Sequence, residues 1–180
     1  MKTVFFDVDT QLDFLYPAGA LYVPGAEDVL PVLGALTRHA AARAIQVIST
    51  VDAHTEDDVE FTIWKPHCVV GTFGQQKVSA TKLPESAKQI IIEKQVIDPF
   101  ANPKLRGLLD ALQAERFVLY GVVTEICVRC AAIGLLQTGA RVELVTDAVK
   151  SLSPAEERSF IDAFQASGGF LTTSAAVLSA

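Results

Sequence analysis

Three residues far apart in the chain, Asp9, Lys94 and Cys127, carry the parts of an activated nucleophile: a thiol, a carboxylate that can take its proton, and a cation that favours the thiolate. Cys127 follows the apolar strand Val118-Leu119-Tyr120-Gly121 and opens a nearly all-apolar helix, Ile126 to Thr138, closed by Gly139. In the first turn of such a helix a thiol lies near unpaired backbone N–H groups and the positive end of the helix dipole. Two duller readings stand beside that one. A cysteine in an apolar helix is most often core, and Cys127 with Cys130 makes a C-x-x-C pair after a strand, the arrangement of a thiol–disulfide redox site. Asp9 at a strand end equally reads as a capping carboxylate, and Lys94 alone as a solvated surface residue.

A second constellation is Asp52-Ala53-His54, with His67 further on and Glu60 between them. In an extended segment residues i and i+2 project to the same side, so Asp52 and His54 can reach one ion and His67 can complete a facial set. Oxygen and nitrogen donors without thiolate suit Zn²⁺, Fe²⁺ or Mn²⁺, and open positions held by water suit catalysis. Cys68 points opposite to His67 in an extended segment and reads as core. His39, beside Arg38 in a helix, reads as a surface residue.

These side chains need a scaffold, and the chain supplies one. Short apolar strands are expected at Thr3–Phe6, Ala44–Val51, Gln89–Ile92, Val118–Tyr120, Arg141–Val145 and Phe170–Thr173. Helical patterns alternate with them: Glu27–Ala42 with Pro31 near its first turn, Pro103 to about Glu115 after an Asn102 cap, the Cys127 unit, and a helix opened by Ser153-Pro154-Ala155-Glu156 that stops at Gly168-Gly169. That alternation predicts a three-layer α/β/α sandwich around a mostly parallel six-stranded sheet joined by right-handed crossovers. Ligands in such folds bind beyond the carboxyl ends of the strands, which is where Asp9, Asp52, His54, Lys94 and Cys127 all fall. From Asp52 to about Lys82 no regular pattern is sustained, and a stretch that long inside a compact domain is expected to hold part of the site.

The totals narrow the function classes. A length of 180 residues, half of them hydrophobic, fits one domain over residues 1–180. A net charge of -6 without a Lys/Arg cluster argues against nucleic acid or an acidic membrane as partner and favours a small molecule. Three cysteines do not make a disulfide framework, and the N-terminal apolar run is cut short by Asp7, so a cytoplasmic protein is expected.

Several motifs, in order, carry a family resemblance: FFDVDTQLDF, TVDAHT with WKPHCVVGTFG, the Lys of IIIEK, GVVTEICVRCAAIGLLQTGARVELVTDAV and the closing TTSAAVL. Over essentially its whole length the sequence resembles the isochorismatase-like cysteine hydrolases, and among them the nicotinamidases (pyrazinamidases). The resemblance implies a catalytic set of Cys127, Asp9 and Lys94, with a cis peptide just before Val123 and an oxyanion hole of the Val123 and Cys127 N–H groups. It also implies a metal on Asp52, His54 and His67, with Glu60 at the position of an added acid ligand in some members, and a ring sandwich of Phe14 and Trp64. The expected reaction is metal-assisted hydrolysis of a small heteroaromatic amide to acid and ammonia through a thioester, in a homo-oligomer. Ile97 stands where an aromatic residue is common, which leaves the chemistry intact and the substrate open, with carbamoyl and ureido amidases as alternatives. The metal set counts against an isochorismatase proper. A thiol–disulfide oxidoreductase and a silent ligand-binding member are the remaining classes; the first gives no role to Asp9 or Lys94, and the second no need for the three together.

Overall fold

The structure, a computed structural model, describes residues 1–85 and 87–180. Six parallel strands run β1 Thr3–Val8, β2 Gln46–Asp52, β3 Gln89–Lys94, β4 Arg116–Val122, β5 Arg141–Lys150 and β6 Phe170–Thr172, in the spatial order β3-β2-β1-β4-β5-β6. All neighbouring pairs are parallel, so the mixed sheet left open by the sequence is fully parallel.

The central strands are apolar on both faces because both are covered. Val4, Phe6 and Val8 of β1 join one core with Leu105 and Leu109 of α3 (Pro103–Leu112), Ala131, Ala132 and Leu135 of α4 (Arg129–Leu136), and Phe160 and Phe164 of α5 (Pro154–Ala166). Phe5, between them in sequence, faces the other way with Leu33, Leu36 and Ala40 of α2 (Leu30–Ala42) and Val177 of α6 (Ser174–Leu178). Burial of Phe5 or Phe6, each at most 1 % exposed, is worth about 2–3 kcal/mol before entropy is charged against it.

Local signals act as their chemistry requires. Asn102 accepts the Lys104 N–H at 2.9 Å and caps α3, and Ser153 accepts the Glu156 N–H at 3.4 Å at the start of α5. Gly139 takes φ +78° after α4. Gly121, at φ +123°, lies so close to β1 that a Cβ there would meet the Val8 carbonyl oxygen at 2.1 Å. Glycine is what lets β4 approach β1.

Four details differ from expectation. The α2 helix begins at Leu30 after a 3₁₀ turn over Ala26–Val29, because Pro31 fits only in a first turn. Two short helices, α1 (Leu12–Leu15) and α6, carry too few turns to leave a period in the sequence. Cys127 lies in a separate π-helical turn, Thr124–Val128, ahead of α4. His39 is half-buried against Phe5, ring centroids 6.1 Å apart, and burial pushes its imidazole pKa down.

Candidate active site

Four adjacent strands, β3, β2, β1 and β4, deliver one functional side chain each at their carboxyl ends. Lys94 and Asp52 are the last residues of β3 and β2 and pair in register. Asp9 follows β1 with φ +50°, and Cys127 sits in the turn after β4, where the Val122–Val123 peptide is cis. The Lys94 ammonium lies 2.9 Å from Asp9 Oδ2 and 3.7 Å from Cys127 Sγ, and it also bonds Asp52 Oδ1. Thr50 donates to the other Asp9 oxygen at 2.6 Å.

The environment sets the charges. Burial pushes the Cys127 thiol well up, against the pull of the Lys94 ammonium, and the carboxylates of Asp9 and Asp52 add to the rise. Burial raises the Asp9 carboxyl too, with Lys94 opposing. Burial would strip the Lys94 proton, but Asp9, Cys127 and Asp52 together outweigh it and the ammonium is held. The resting group is therefore a protonated thiol beside an ammonium–carboxylate pair whose carboxylate is a stronger base than an exposed one.

Next to this group, Asp52, His54 and His67 place ligand atoms within 4.8 Å of one another, all three residues buried. Asp52 Oδ2 faces His54 Nε2 at 3.9 Å and His67 Nε2 at 3.8 Å. His54 Nδ1 donates to Asp58 Oδ2 at 2.9 Å and His67 Nδ1 to the Lys65 carbonyl at 2.7 Å, so each ring turns its Nε2 toward the centre. His54 Nε2 is buried without a hydrogen-bond partner among the described residues, which a resident cation would satisfy. An N₂O set of this kind fits a divalent ion such as zinc, iron or manganese. Glu60 lines the adjoining pocket but lies outside the three-residue cluster; burial and the Asp52 charge raise its carboxyl pKa.

Cys127 of the first group and Asp52 and His67 of the second line one pocket. Phe14, Trp64 and Ile97 line it, and Phe14 tilts over His67 with centroids 5.4 Å apart. A wider groove along the exposed side of β3 lies outside it and does not contain Cys127. Cys68 is fully buried core, as expected, and Cys130, half-buried, is absent from the pocket lining.

Sequence reasoning missed the residues that hold these parts in place. Gln11, fully buried, clamps Asp52 from both sides: its Nε2 donates to the Asp52 carbonyl at 2.8 Å and its Oε1 accepts the Asp52 N–H at 2.7 Å. Asp13 accepts the Cys68 N–H at 2.7 Å and the Ala20 N–H at 2.9 Å, tying the His67 segment to the loop after β1. Asp58 joins His54 to the Glu60 N–H, 2.9 Å from its Oδ1. Gln11 and Asp13 follow Asp9 at steps of two, a run of polar residues leaving a buried strand, and that was the available signal. Leu21, Tyr22, Val23, Ile126 and Leu152 also wall the pocket, and no pattern marks them.

The model of the isochorismatase domain matches residues 3–176. The chain belongs to the isochorismatase family. A nicotinamidase from Saccharomyces cerevisiae (strain ATCC 204508 / S288c) is 23% identical over 194 residues, covering 85% of this chain and 89% of the yeast protein. Among solved structures, the pyrazinamidase of Pyrococcus horikoshii in complex with zinc superposes with a TM-score of 0.89 at 30% identity, covering 96% of this chain and 99% of that one. N-carbamoylsarcosine amidase from Thermoplasma acidophilum superposes with a TM-score of 0.84 at 25% identity, covering 97% of each. This isochorismatase-family hydrolase thus combines the family's sheet with a buried thiol–ammonium–carboxylate group and a possible metal site beside it. No helix among the described residues is long and apolar enough to cross a membrane.

Proposed function

We propose that this chain is a metal-assisted cysteine amidohydrolase that converts nicotinamide, or a similar neutral heteroaromatic amide, to the acid and ammonia. The observation that carries this reading is the Lys94 ammonium between Asp9 Oδ2 and Cys127 Sγ, at 2.9 and 3.7 Å, behind a pocket lined by Cys127, His67 and the aromatic side chains of Phe14 and Trp64.

In this reading Asp9 accepts the thiol proton as Cys127 Sγ attacks the amide carbon, and Lys94 holds the charge of the pair. The N–H groups of Val123 and Cys127 stabilise the oxyanion. The amide C–N bond breaks, the nitrogen leaves as ammonia with the proton from Asp9, and water hydrolyses the thioester with Asp9 as base. Phe14 and Trp64 flank the ring. Asp52, His54 and His67 would hold a divalent ion, which supplies a Lewis-acid point for a ring nitrogen. Glu60 stands at the rim of that site as a candidate further ligand.

A pocket for an N-carbamoyl acid needs a cation for the substrate carboxylate. Among the described lining residues there is no Lys or Arg, and the Lys94 ammonium is committed to Asp9 and Asp52, which favours the neutral amide. The three free cysteines suit a reducing, cytoplasmic setting. The single-domain, homo-oligomeric enzyme implied by the resemblance is proposed with it, and light scattering reports its size.

The test is ammonia release from nicotinamide, pyrazinamide and N-carbamoylsarcosine, and pyruvate release from the vinyl ether of isochorismate, each with and without added zinc. Turnover of the first two supports the reading, and turnover confined to the last two rejects it.

A further inference from the structure

An exposed leucine is held more firmly than exposure alone would call for. Leu152, 44% exposed, lies in the loop between β5 and α5 and lines the pocket with Cys127 and Ile97. Its backbone N–H is accepted by Glu125 Oε1 at 2.9 Å, and the same oxygen takes the Ser153 N–H at 2.8 Å. On either side, Ser151 donates to Glu157 at 2.9 Å and Ser153 caps α5. Glu125 is only 3% exposed and stands two residues before Cys127 in the same turn. Burying a carboxylate is costly, and among the described residues its partners are two N–H groups of one surface loop.

We propose that Leu152 is a specificity-determining residue: Glu125 fixes it at a set distance from the nucleophile, and its side chain limits the bulk of substituents that an amide can carry into the pocket. Glu125 is a positioning residue, since it touches the loop backbone rather than the substrate. The inference rests on the proposed amidase reading for its substrates. Its geometric content is that Leu152 guards access to Cys127.

Leu152 is half in solvent, so Leu152→Ala leaves the fold standing. The first measurement compares kcat/KM for nicotinamide with kcat/KM for its ring-methylated amides. In Leu152→Ala the ratio for at least one methylated amide rises about tenfold, the scale of one methyl group in an apolar pocket. The second does not depend on amidase activity: Cys127 is alkylated with iodoacetamide or with the bulkier N-phenylmaleimide, the site being assigned by peptide mass spectrometry. Leu152→Ala raises the maleimide-to-iodoacetamide rate ratio and Leu152→Trp lowers it. Glu125→Ala reproduces the Leu152→Ala ratio, while Glu125→Gln, which keeps an oxygen for both N–H groups, retains the wild-type value. Ratios that stay within about twofold across the Leu152 variants overturn the proposal. A wild-type protein that hydrolyses no amide overturns the amidase reading instead, and the alkylation ratios then decide the role of Leu152.

Discussion

Asp52 and Lys94 end neighbouring strands in register, and the Lys94 ammonium bonds Oδ1 of Asp52 while Oδ2 faces His54 and His67. One carboxylate therefore belongs to both halves of the site. Burial alone would raise its pKa, but the Lys94 charge and the two imidazoles outweigh burial and hold it well below the usual carboxylate range. It stays ionised at any working pH. Gln11 fixes the backbone on which it stands.

Cys127→Ala is expected to lower acid release from nicotinamide by roughly a thousandfold or more, because no other group in the pocket can form the thioester. Cys130→Ser is expected to keep most of it, since Cys130 does not line the pocket. Chromatographic quantitation of nicotinic acid separates the two. The reverse pattern would remove Cys127 as the nucleophile, and only a reversible Cys127–Cys130 disulfide in a redox titration would restore the redox reading.

The pH profile carries the sign of the Asp9 shift. Asp9 must be unprotonated to act as base, so kcat/KM falls as pH drops through its pKa, and burial has moved that pKa above the ordinary value of 3.8. The acidic limb, which belongs to Cys127, Lys94 and Asp9 as a unit, is expected above that value. A limb centred at an exposed aspartate's pKa would mean that Asp9 is not the base.

Asp58 orients His54 from behind, so Asp58→Asn is expected to weaken metal binding by about 10- to 100-fold while leaving the three ligands in place. Titrating metal-free protein with Co²⁺ and following its visible bands measures this without any assay of turnover. Equal affinity in wild type and variant would show that the His54 ring is held without help from Asp58.

Gly121 governs the approach of β4 to β1. A methyl group there meets the Val8 carbonyl at 2.1 Å, in a backbone conformation that L residues rarely adopt, so Gly121→Ala is expected to cost at least about 3 kcal/mol. Urea unfolding reads the loss. A variant that folds with wild-type stability would mean that the two strands part easily, and then Cys127 and Asp9 are not held together by strand packing.

Much of this protein is legible along the chain. Strands and helices at Thr3, Gln46, Gln89, Arg116, Arg141 and Phe170, and at Leu30, Pro103, Arg129 and Pro154, announce themselves through apolar runs, caps and breakers, which act within a few residues. Asp9, Asp52, Lys94 and Cys127 are legible as well, because strand ends are local features and parallel sheets collect them on one edge. Strand order alone, β3-β2-β1-β4, set those four side by side, and order is a consequence of long-range packing that no local signal encodes. The same holds for Gln11 on Asp52 and Glu125 on Leu152. A hydrogen bond between residues 41 or 27 positions apart is chosen by where two backbones come to lie, and that is decided only when the core closes.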